Sequence, residues 1–208
     1  MIKITFMGAG STVFLRNVLG DCIYTDALKG MEIALYDIDG QRLEQSAAIL
    51  EAINKGNGCP ASIRSYLGAE NRRKALSGAD FVINAIQVGG YDPCTITDFE
   101  IPKKYGLRQT IGDTLGIGGI MRALRTIPVL EDFARDMEAV CPNAWFLNYT
   151  NPMSMLTGYM LRYTGVKTLG LCHSVQTCSK TLMDAIGMSD RLEGRRELIA
   201  GINHMGWL

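Results

Sequence analysis

Apolar and polar positions follow two patterns along this chain: short apolar runs, and longer segments in which apolar residues recur every three or four positions. The short runs predict β-strands at Ile2–Met7, Glu32–Tyr36, Ala61–Leu67, Ala79–Ile86, Ala144–Leu147 and Val166–Leu171. The longer segments predict helices at Thr12–Cys22, Gln41–Lys55, Ile120–Val140 (bent at Pro128) and Met153–Arg162. Because strands alternate with helices, the sequence predicts an α/β fold with a doubly wound parallel sheet.

Composition narrows the class of protein. The 208 residues include 21 basic and 21 acidic side chains, and 47% are hydrophobic. A balanced charge argues against binding to nucleic acid or to a membrane surface, because both require a basic face. The chain has no apolar run of about 18 residues that could span a bilayer, and its N-terminus does not resemble a signal peptide. We therefore expect a cytoplasmic protein that binds neither nucleic acid nor a membrane.

The C-terminus carries a separate signal. The chain stops at Gly206-Trp207-Leu208, inside an apolar segment that has no polar tail. Natural domains seldom end in this way, so we expect a fragment whose second domain is missing or barely begun.

The cysteines do not indicate a disulfide framework. They show no Cys-x-x-Cys spacing, and the chain lacks an export signal. Most of them are expected to be small buried hydrophobic residues. The six are Cys22, Cys59, Cys94, Cys141, Cys172 and Cys178.

A glycine-rich turn joins the first predicted strand to the first helix. Gly8-Ala9-Gly10-Ser11-Thr12 has two glycines of a dinucleotide-binding turn but lacks the third, since Val13 takes that place. The first glycine permits a tight turn, and the second lets backbone amides approach a pyrophosphate at a helix N-terminus. Asp37, 29 positions after Gly8, is the candidate for the adenosine ribose; Asp39 is the alternative, although it fits a helix N-cap better. An aspartate here favours NAD over NADP.

Polar side chains also stand where later strands end. Asn84 and Gln87 come at the end of the fourth predicted strand, and Asn148 and Asn151 follow the fifth. In a Rossmann sheet the carboxyl ends of the strands face the cofactor, so these amides are candidates for ligand binding. Asparagine in a loop is also common turn chemistry, and both interpretations stay open.

The chain has two histidines, one of which follows a cysteine. Cys172 and His173 come directly after the sixth predicted strand, and His204 lies near the C-terminus. A cysteine with a histidine suits a borderline transition metal such as Zn, Mn, Fe or Co. A histidine that is merely packed or hydrogen-bonded is the commoner alternative.

Several longer passages of the sequence resemble those of a known enzyme family. They are Gly8–Thr12, Tyr36–Asp39, Ile83–Tyr91, Gln109–Gly119, Asn148–Pro152, Lys167–Ser174 and Gly201–His204. A signature of Asn-x-x-Asn-Pro, a threonine, a basic residue and Gly-x-Cys is met by Asn148, Asn151, Pro152, Thr157, Lys167, Leu169, Gly170 and Cys172. In these passages the chain resembles glycoside hydrolase family 4, and within it the α-galactosidase branch.

The resemblance implies a role for each candidate residue. NAD would be bound by Gly8, Gly10, Ser11, Thr12, Asp37, Asn84, Gln87 and Asn148. Cys172 and His204 would hold Mn²⁺ or another divalent metal. Asn151 and His173 would bind the substrate, while Asp113 and His173 would take part in catalysis. We expect His173 to contact substrate rather than metal, because neighbouring side chains on an extended segment point apart.

The implied function is the hydrolysis of α-galactosides of the melibiose type. In the family's scheme C3 of the sugar is oxidised, the C2 proton is removed, the leaving group is eliminated, water adds and the hydride returns. Residues 1–171 would form the NAD-binding Rossmann domain, as in lactate and malate dehydrogenases, and 172–208 would begin the substrate domain. The catalytic base would lie beyond residue 208, and the whole protein would be a dimer or tetramer.

Three alternatives stay open from the sequence. The first is a family 4 α-glucosidase or α-glucuronidase, which the same motifs would serve. The second is a 2-hydroxy-acid dehydrogenase, in which Arg122 and Arg125 would clamp a carboxylate. The third is an NAD-binding fragment without catalytic activity.

Overall fold

A parallel sheet of six strands organises the molecule. The computed structural model describes residues 1–191, 198–202 and 205–207. The strands of this sheet are β1 (Lys3–Met7), β2 (Glu32–Asp37), β3 (Ser62–Leu67), β4 (Phe81–Asn84), β5 (Trp145–Asn148) and β6 (Lys167–Gly170). Their order is β3-β2-β1-β4-β5-β6, and every neighbouring pair is parallel. This is the strand order of a Rossmann fold, so the predicted fold class is confirmed.

Helices cover both faces of the sheet. They are α1 (Thr12–Tyr24), α2 (Gly40–Gly56), α3 (Arg72–Leu76), α4 (Ile96–Lys104), α5 (Gly116–Val140), α6 (Met153–Tyr163) and α7 (His173–Ala185). Apolar residues of α1 and α2 share one buried cluster with Phe6 and Leu35, while α3, α5 and α6 share the other with Met7 and Tyr36. Neighbouring strand residues therefore enter opposite cores, as the two-residue repeat of a strand requires.

Three α-helices in the described part of the chain were not predicted, and two of them have a clear physical reason. Pro93 and Pro102 lie in a segment that turns through Gly90–Thr95, where Asp92 is extended (φ −104°, ψ 126°), and then continues into α4. Proline lacks the backbone N–H of a helix interior, so the two prolines argue against a helix in the sequence. The five residues of α3 are too few to show a helical repeat.

The third unpredicted helix corrects an expectation about the site. Cys172 is extended and serves as the N-cap of α7, and His173 is the first residue of that helix. Cys172 and His173 therefore do not lie on one extended segment, which corrects the premise for assigning His173 to the substrate.

Helix α5 begins four residues earlier than predicted. Its first turn contains Gly116, Gly118 and Gly119, which are poor helix formers and hide the helical pattern. Pro128 lies within α5. The bend at Pro128 stays a prediction.

The described residues end in a separate antiparallel pair. Strand β7 (Ala200–Ile202) pairs with β8 (Met205–Trp207), and residues 203–204 lie outside the described part of the chain. No helix among the described residues is both long and apolar enough to cross a membrane.

The expectation that most cysteines are buried is wrong. Only Cys141 is buried, whereas Cys22, Cys94 and Cys172 are partly exposed and Cys59 and Cys178 are exposed.

Candidate functional site

The carboxyl ends of the central strands meet at one cleft. Met7, Asn84, Asn148 and Gly170 end β1, β4, β5 and β6, and they are neighbours in register across the sheet. Beyond this line lies a cleft of about 200 Å³. Its lining consists of Ser11, Phe14, Ala85, Ile86, Gln87, Arg122, Tyr149, Thr150 and Asn151. Ligands of open parallel sheets bind at this edge.

The glycine-rich turn forms one wall of the cleft. Gly8 has a φ of +89°, and a Cβ there would lie 2.7 Å from the carbonyl oxygen of Ala85. A side chain at this position would therefore separate the turn from the end of β4. Gly8 is needed for the close packing of the protein itself, in addition to any close approach of a ligand.

The N-terminus of α1 opens at the same wall. Ser11 is the N-cap residue, but no side chain makes a capping hydrogen bond there. The first backbone N–H groups of a helix lack partners within the helix, and together with the helix dipole they attract anions. Since Ser11 and Phe14 line the cleft, this end of α1 fits the pyrophosphate of a dinucleotide. Thr12 lies within 3.1 Å of the Ser46 hydroxyl on α2, which fixes its side chain.

Asp37 binds the glycine-rich turn directly. One carboxylate oxygen accepts a 2.6 Å hydrogen bond from the backbone N–H of Gly10, and the other accepts one of 2.9 Å from Asp39. A Cβ at Gly10 would lie 2.9 Å from this carboxylate. Asp39 is the N-cap of α2 and accepts from the backbone N–H of Arg42. The structure therefore gives Asp39 the capping role and places Asp37 beside the turn.

Asn84 and Asn148 lie beneath the cleft. Both are fully buried, and the amide nitrogen of Asn84 donates to the side-chain oxygen of Asn148 at 2.9 Å. Asn84 also donates to the Thr150 hydroxyl, which donates in turn to the carbonyl of Ile86. Asn148 accepts from the backbone N–H of Thr150 at 3.1 Å and donates to the Thr157 hydroxyl at 3.3 Å. With no exposed surface in this structure, these amides support the turn that carries Thr150 and Asn151.

Gln87 and Asn151 are the amides that face the cleft. Both line it, and Gln87 donates to the Thr95 hydroxyl at 3.3 Å. The aromatic rings of Phe14 and Tyr149 meet edge to face at 4.8 Å and close the apolar side. Burial raises the pKa of Tyr149, so its hydroxyl stays protonated at neutral pH.

A buried arginine adds charge to the cleft. Arg122 extends from the second turn of α5, and its Nη1 lies 3.3 Å from Oδ2 of Asp113. The structure thus places the candidate Asp113 beside a cleft residue. Arg125 instead pairs with Asp98 at 2.6 Å and lies outside the lining, so the two arginines do not form a joint clamp.

Sequence reasoning did not assign Arg122 to a glycosidase site. Its position after Gly118-Gly119 was a usable signal, because a helix that begins at the binding edge places its second turn near the cleft.

The predicted metal pair is only partly described. Cys172 is partly exposed at the N-cap of α7. The side chain of His173 and the whole of His204 lie outside the described residues. Within the described part of the chain no group of three or more His, Cys, Asp or Glu residues could hold a metal ion. The Cys172–His204 site stays a prediction.

Comparison with known proteins identifies the family of the chain. Residues 3–188 match the model described as "Family 4 glycosyl hydrolase". An α-galactosidase from Bacillus subtilis (strain 168) is 63% identical over all 208 residues of the chain, which cover 47% of that protein. The chain spans about half the length of this relative.

Solved structures agree with the fold. A 6-phospho-β-glucosidase from Thermotoga maritima, solved with manganese, NAD⁺ and glucose-6-phosphate, is 25% identical with a TM-score of 0.80, over 99% of this chain and 48% of that one. A lactate dehydrogenase from Eimeria maxima, solved with NADH and oxamate, is 13% identical with a TM-score of 0.58, over 89% of this chain and 49% of that one. The second likeness concerns the fold alone.

Proposed function

The chain belongs to family 4 of the glycosyl hydrolases, and from this premise we propose that the intact protein hydrolyses α-galactosides with the help of NAD and a divalent metal, Mn²⁺. The observation that carries the substrate assignment is the 63% identity to an α-galactosidase along the whole chain. Because the chain covers 47% of that relative, the activity of the intact protein is an inference from this half. Because the chain belongs to this family, the alternative of a 2-hydroxy-acid dehydrogenase is excluded.

The cleft has the features that NAD requires. The uncapped N-terminus of α1 offers backbone donors to a pyrophosphate, and Asp37 stands beside the turn where the adenosine ribose would lie. Asp37 already accepts two backbone hydrogen bonds, but a carboxylate has about four acceptor sites, so it retains capacity for ribose hydroxyls. Gln87 would reach the cofactor from the opposite wall.

Asn84 and Asn148 have a different part in this proposal. Since both are fully buried and bonded to one another, we infer that they support cofactor binding indirectly, by holding Thr150 and Asn151 in place. Asn151 faces the cleft and would bind a sugar hydroxyl. Asp113 would lie near the sugar, and His173 would contact it from the start of α7.

NAD and the metal would supply reversible hydride removal from the sugar and polarisation of the oxidised carbon. The metal would be held by Cys172 and His204, in addition to sugar oxygens. Residues 1–171 would act as the NAD-binding domain, and 172–208 would begin the substrate domain. A cytoplasmic location and a dimeric or tetrameric assembly complete the proposal.

Turnover by the intact protein tests this function. The substrates are the p-nitrophenyl α-galactoside and the matching α-glucoside and α-glucuronide, each with and without NAD and Mn²⁺. We expect release of p-nitrophenol from the galactoside only when both are present, with no accumulation of NADH, because the cycle returns the hydride. Faster hydrolysis of the glucoside or the glucuronide would overturn the assignment of an α-galactoside as the substrate. Binding of NAD and Mn²⁺ without turnover of any glycoside would support a non-catalytic module.

A further inference from the structure

Arg122 combines burial with a place in the cleft. Its side chain is 11% exposed, and its ion pair with Asp113 spans 3.3 Å. Burial lowers the pKa of Arg122, and the Asp113 carboxylate opposes that shift. A guanidinium with an ordinary pKa above about 12 nevertheless stays charged. The pair therefore places a positive charge beside Asp113 at neutral pH.

Residues 109–115 form the loop that carries Asp113, and this loop packs against the first turn of α5. A Cβ at Gly119 would lie 2.5 Å from the backbone of Thr114, and a Cβ at Gly118 would collide with the carbonyl oxygen of Gly112. Only residues without a side chain permit this contact. Helix α5 therefore provides both the seat of the loop and the ion-pair partner of its aspartate.

A glutamine side chain fastens the start of the loop. Gln109 accepts a 3.0 Å hydrogen bond from the backbone N–H of Gly118 and donates one of 3.1 Å to the carbonyl of Asp98. The Gln109 side chain thus holds the start of the loop, and backbone contacts of Gly112 and Thr114 hold the rest. The Asp113 side chain itself reaches α5 through Arg122.

We propose that Arg122 is a positioning residue, which holds the Asp113 carboxylate at the edge of the cleft in the orientation that the sugar requires; this inference rests on the proposed glycosidase function. The Asp113 side chain is 33% exposed and bonds to Arg122 through Oδ2. A carboxylate has about four acceptor sites, so this bond leaves capacity for a sugar hydroxyl. The guanidinium therefore restrains the Asp113 carboxylate without using all of its acceptor sites.

The same helix supplies a matched control. Arg135 also pairs with acidic neighbours, Glu131 and Asp132, but its side chain is 66% exposed and lies outside the cleft lining. Replacing Arg135 removes an arginine and its ion pairs from α5 without touching the loop of Asp113.

Two measurements test the proposal. The first records the carboxyl resonance of Asp113 by ¹³C NMR on this chain labelled at aspartate, with Asp113→Asn for assignment. The second measures kcat, KM and the Kd of NAD for the intact protein. Both use Arg122→Gln, Arg122→Lys and Arg135→Gln, and the kinetics add the double variant Arg122→Gln/Asp113→Asn.

We expect Arg122→Gln to shift the Asp113 resonance and lower kcat on the order of 100-fold, the effect of a small misplacement of a reacting group. KM and the Kd of NAD should stay within about twofold, because the interactions that bind the ground state remain. Arg122→Lys should restore part of kcat, Arg135→Gln should match the wild type, and Arg122→Gln should add no loss to Asp113→Asn.

Three outcomes would overturn the positioning role. They are an unmoved Asp113 resonance, a loss carried by KM or the Kd of NAD, and additive losses in the double variant. A wild-type protein that hydrolyses no glycoside would count against the proposed function alone, because the NMR measurement decides independently whether Arg122 holds Asp113.

Discussion

The side-chain amide of Asn84 donates a 2.9 Å hydrogen bond to the side-chain oxygen of Asn148, and this bond joins the ends of two neighbouring strands beneath the cleft. The two residues are partners in the register of β4 and β5, and neither has exposed surface. Polar groups buried in this way are costly to leave without partners. The bond therefore couples the pairing of β4 with β5 to the conformation of the turn that carries Thr150 and Asn151.

Removal of this amide should destabilise the chain. Asn84→Ala leaves a cavity and takes away the donor to Asn148 and Thr150, so we expect the free energy of unfolding to fall by about 1–3 kcal/mol. Urea denaturation followed by circular dichroism measures this change. Asn143→Ala, at an exposed position before β5, serves as the control and should stay within about 0.5 kcal/mol of the wild type. Equal effects of the two changes would contradict the role of the buried pair.

The Asp37 carboxylate should contribute to the affinity for NAD. Asp37→Ala removes the acceptor for Gly10 and the candidate ribose partner, so NAD binding should weaken by about 1–3 kcal/mol in calorimetry. Asp39→Ala is the neighbouring control. It removes the N-cap of α2 and should lower the free energy of unfolding by about 0.5–2 kcal/mol, with little change in NAD affinity. Unchanged NAD affinity in Asp37→Ala would refute the ribose assignment.

Two helical glycines should respond to alanine with opposite signs. A Cβ at Gly158 in α6 meets no atom within 4 Å, so Gly158→Ala should stabilise the chain by about 0.5–1 kcal/mol through reduced backbone entropy of the unfolded state. Gly119→Ala should destabilise it, because the added carbon would lie 2.5 Å from the backbone of Thr114. Thermal unfolding of the two variants tests the pair. Stabilisation by Gly119→Ala would mean that the Asp113 loop is not seated on α5.

Metal dependence should require one cysteine and one histidine. Cys172→Ser and His204→Ala in the intact protein should each abolish Mn²⁺-dependent turnover and leave NAD binding nearly intact. Activity should also need reducing conditions, because a metal-binding cysteine coordinates as the thiolate and oxidation would remove that ligand. Cys178→Ser, at an exposed position in α7, is the control and should retain its metal response. Persistence of that response in Cys172→Ser or His204→Ala would show that the metal is held elsewhere.

The sequence by itself determined the Rossmann sheet, the turn at Gly8–Ser11 and the position of Asp37 at the end of β2. These features depend on local patterns: a short apolar run, a glycine where the chain turns, and an acidic residue at a strand end. Such patterns are visible along the chain because the residues that define them are close in sequence. Helix α4 escaped this reasoning, since Pro102 contradicts the local preference and packing against α5 outweighs it.

Only the tertiary structure decided what the candidate residues do to one another. Asn84 and Asn148 are 64 positions apart, and their burial and mutual hydrogen bond follow from the register of β4 with β5. The pairing of Arg122 with Asp113 depends on a loop that folds back onto two glycines of α5. A sequence pattern reports which chemical groups are available, but distance, burial and hydrogen-bond partners arise when distant segments pack together. For that reason only the tertiary structure shows that Asn84 and Asn148 are buried and bonded to one another, and that Arg122 lines the cleft.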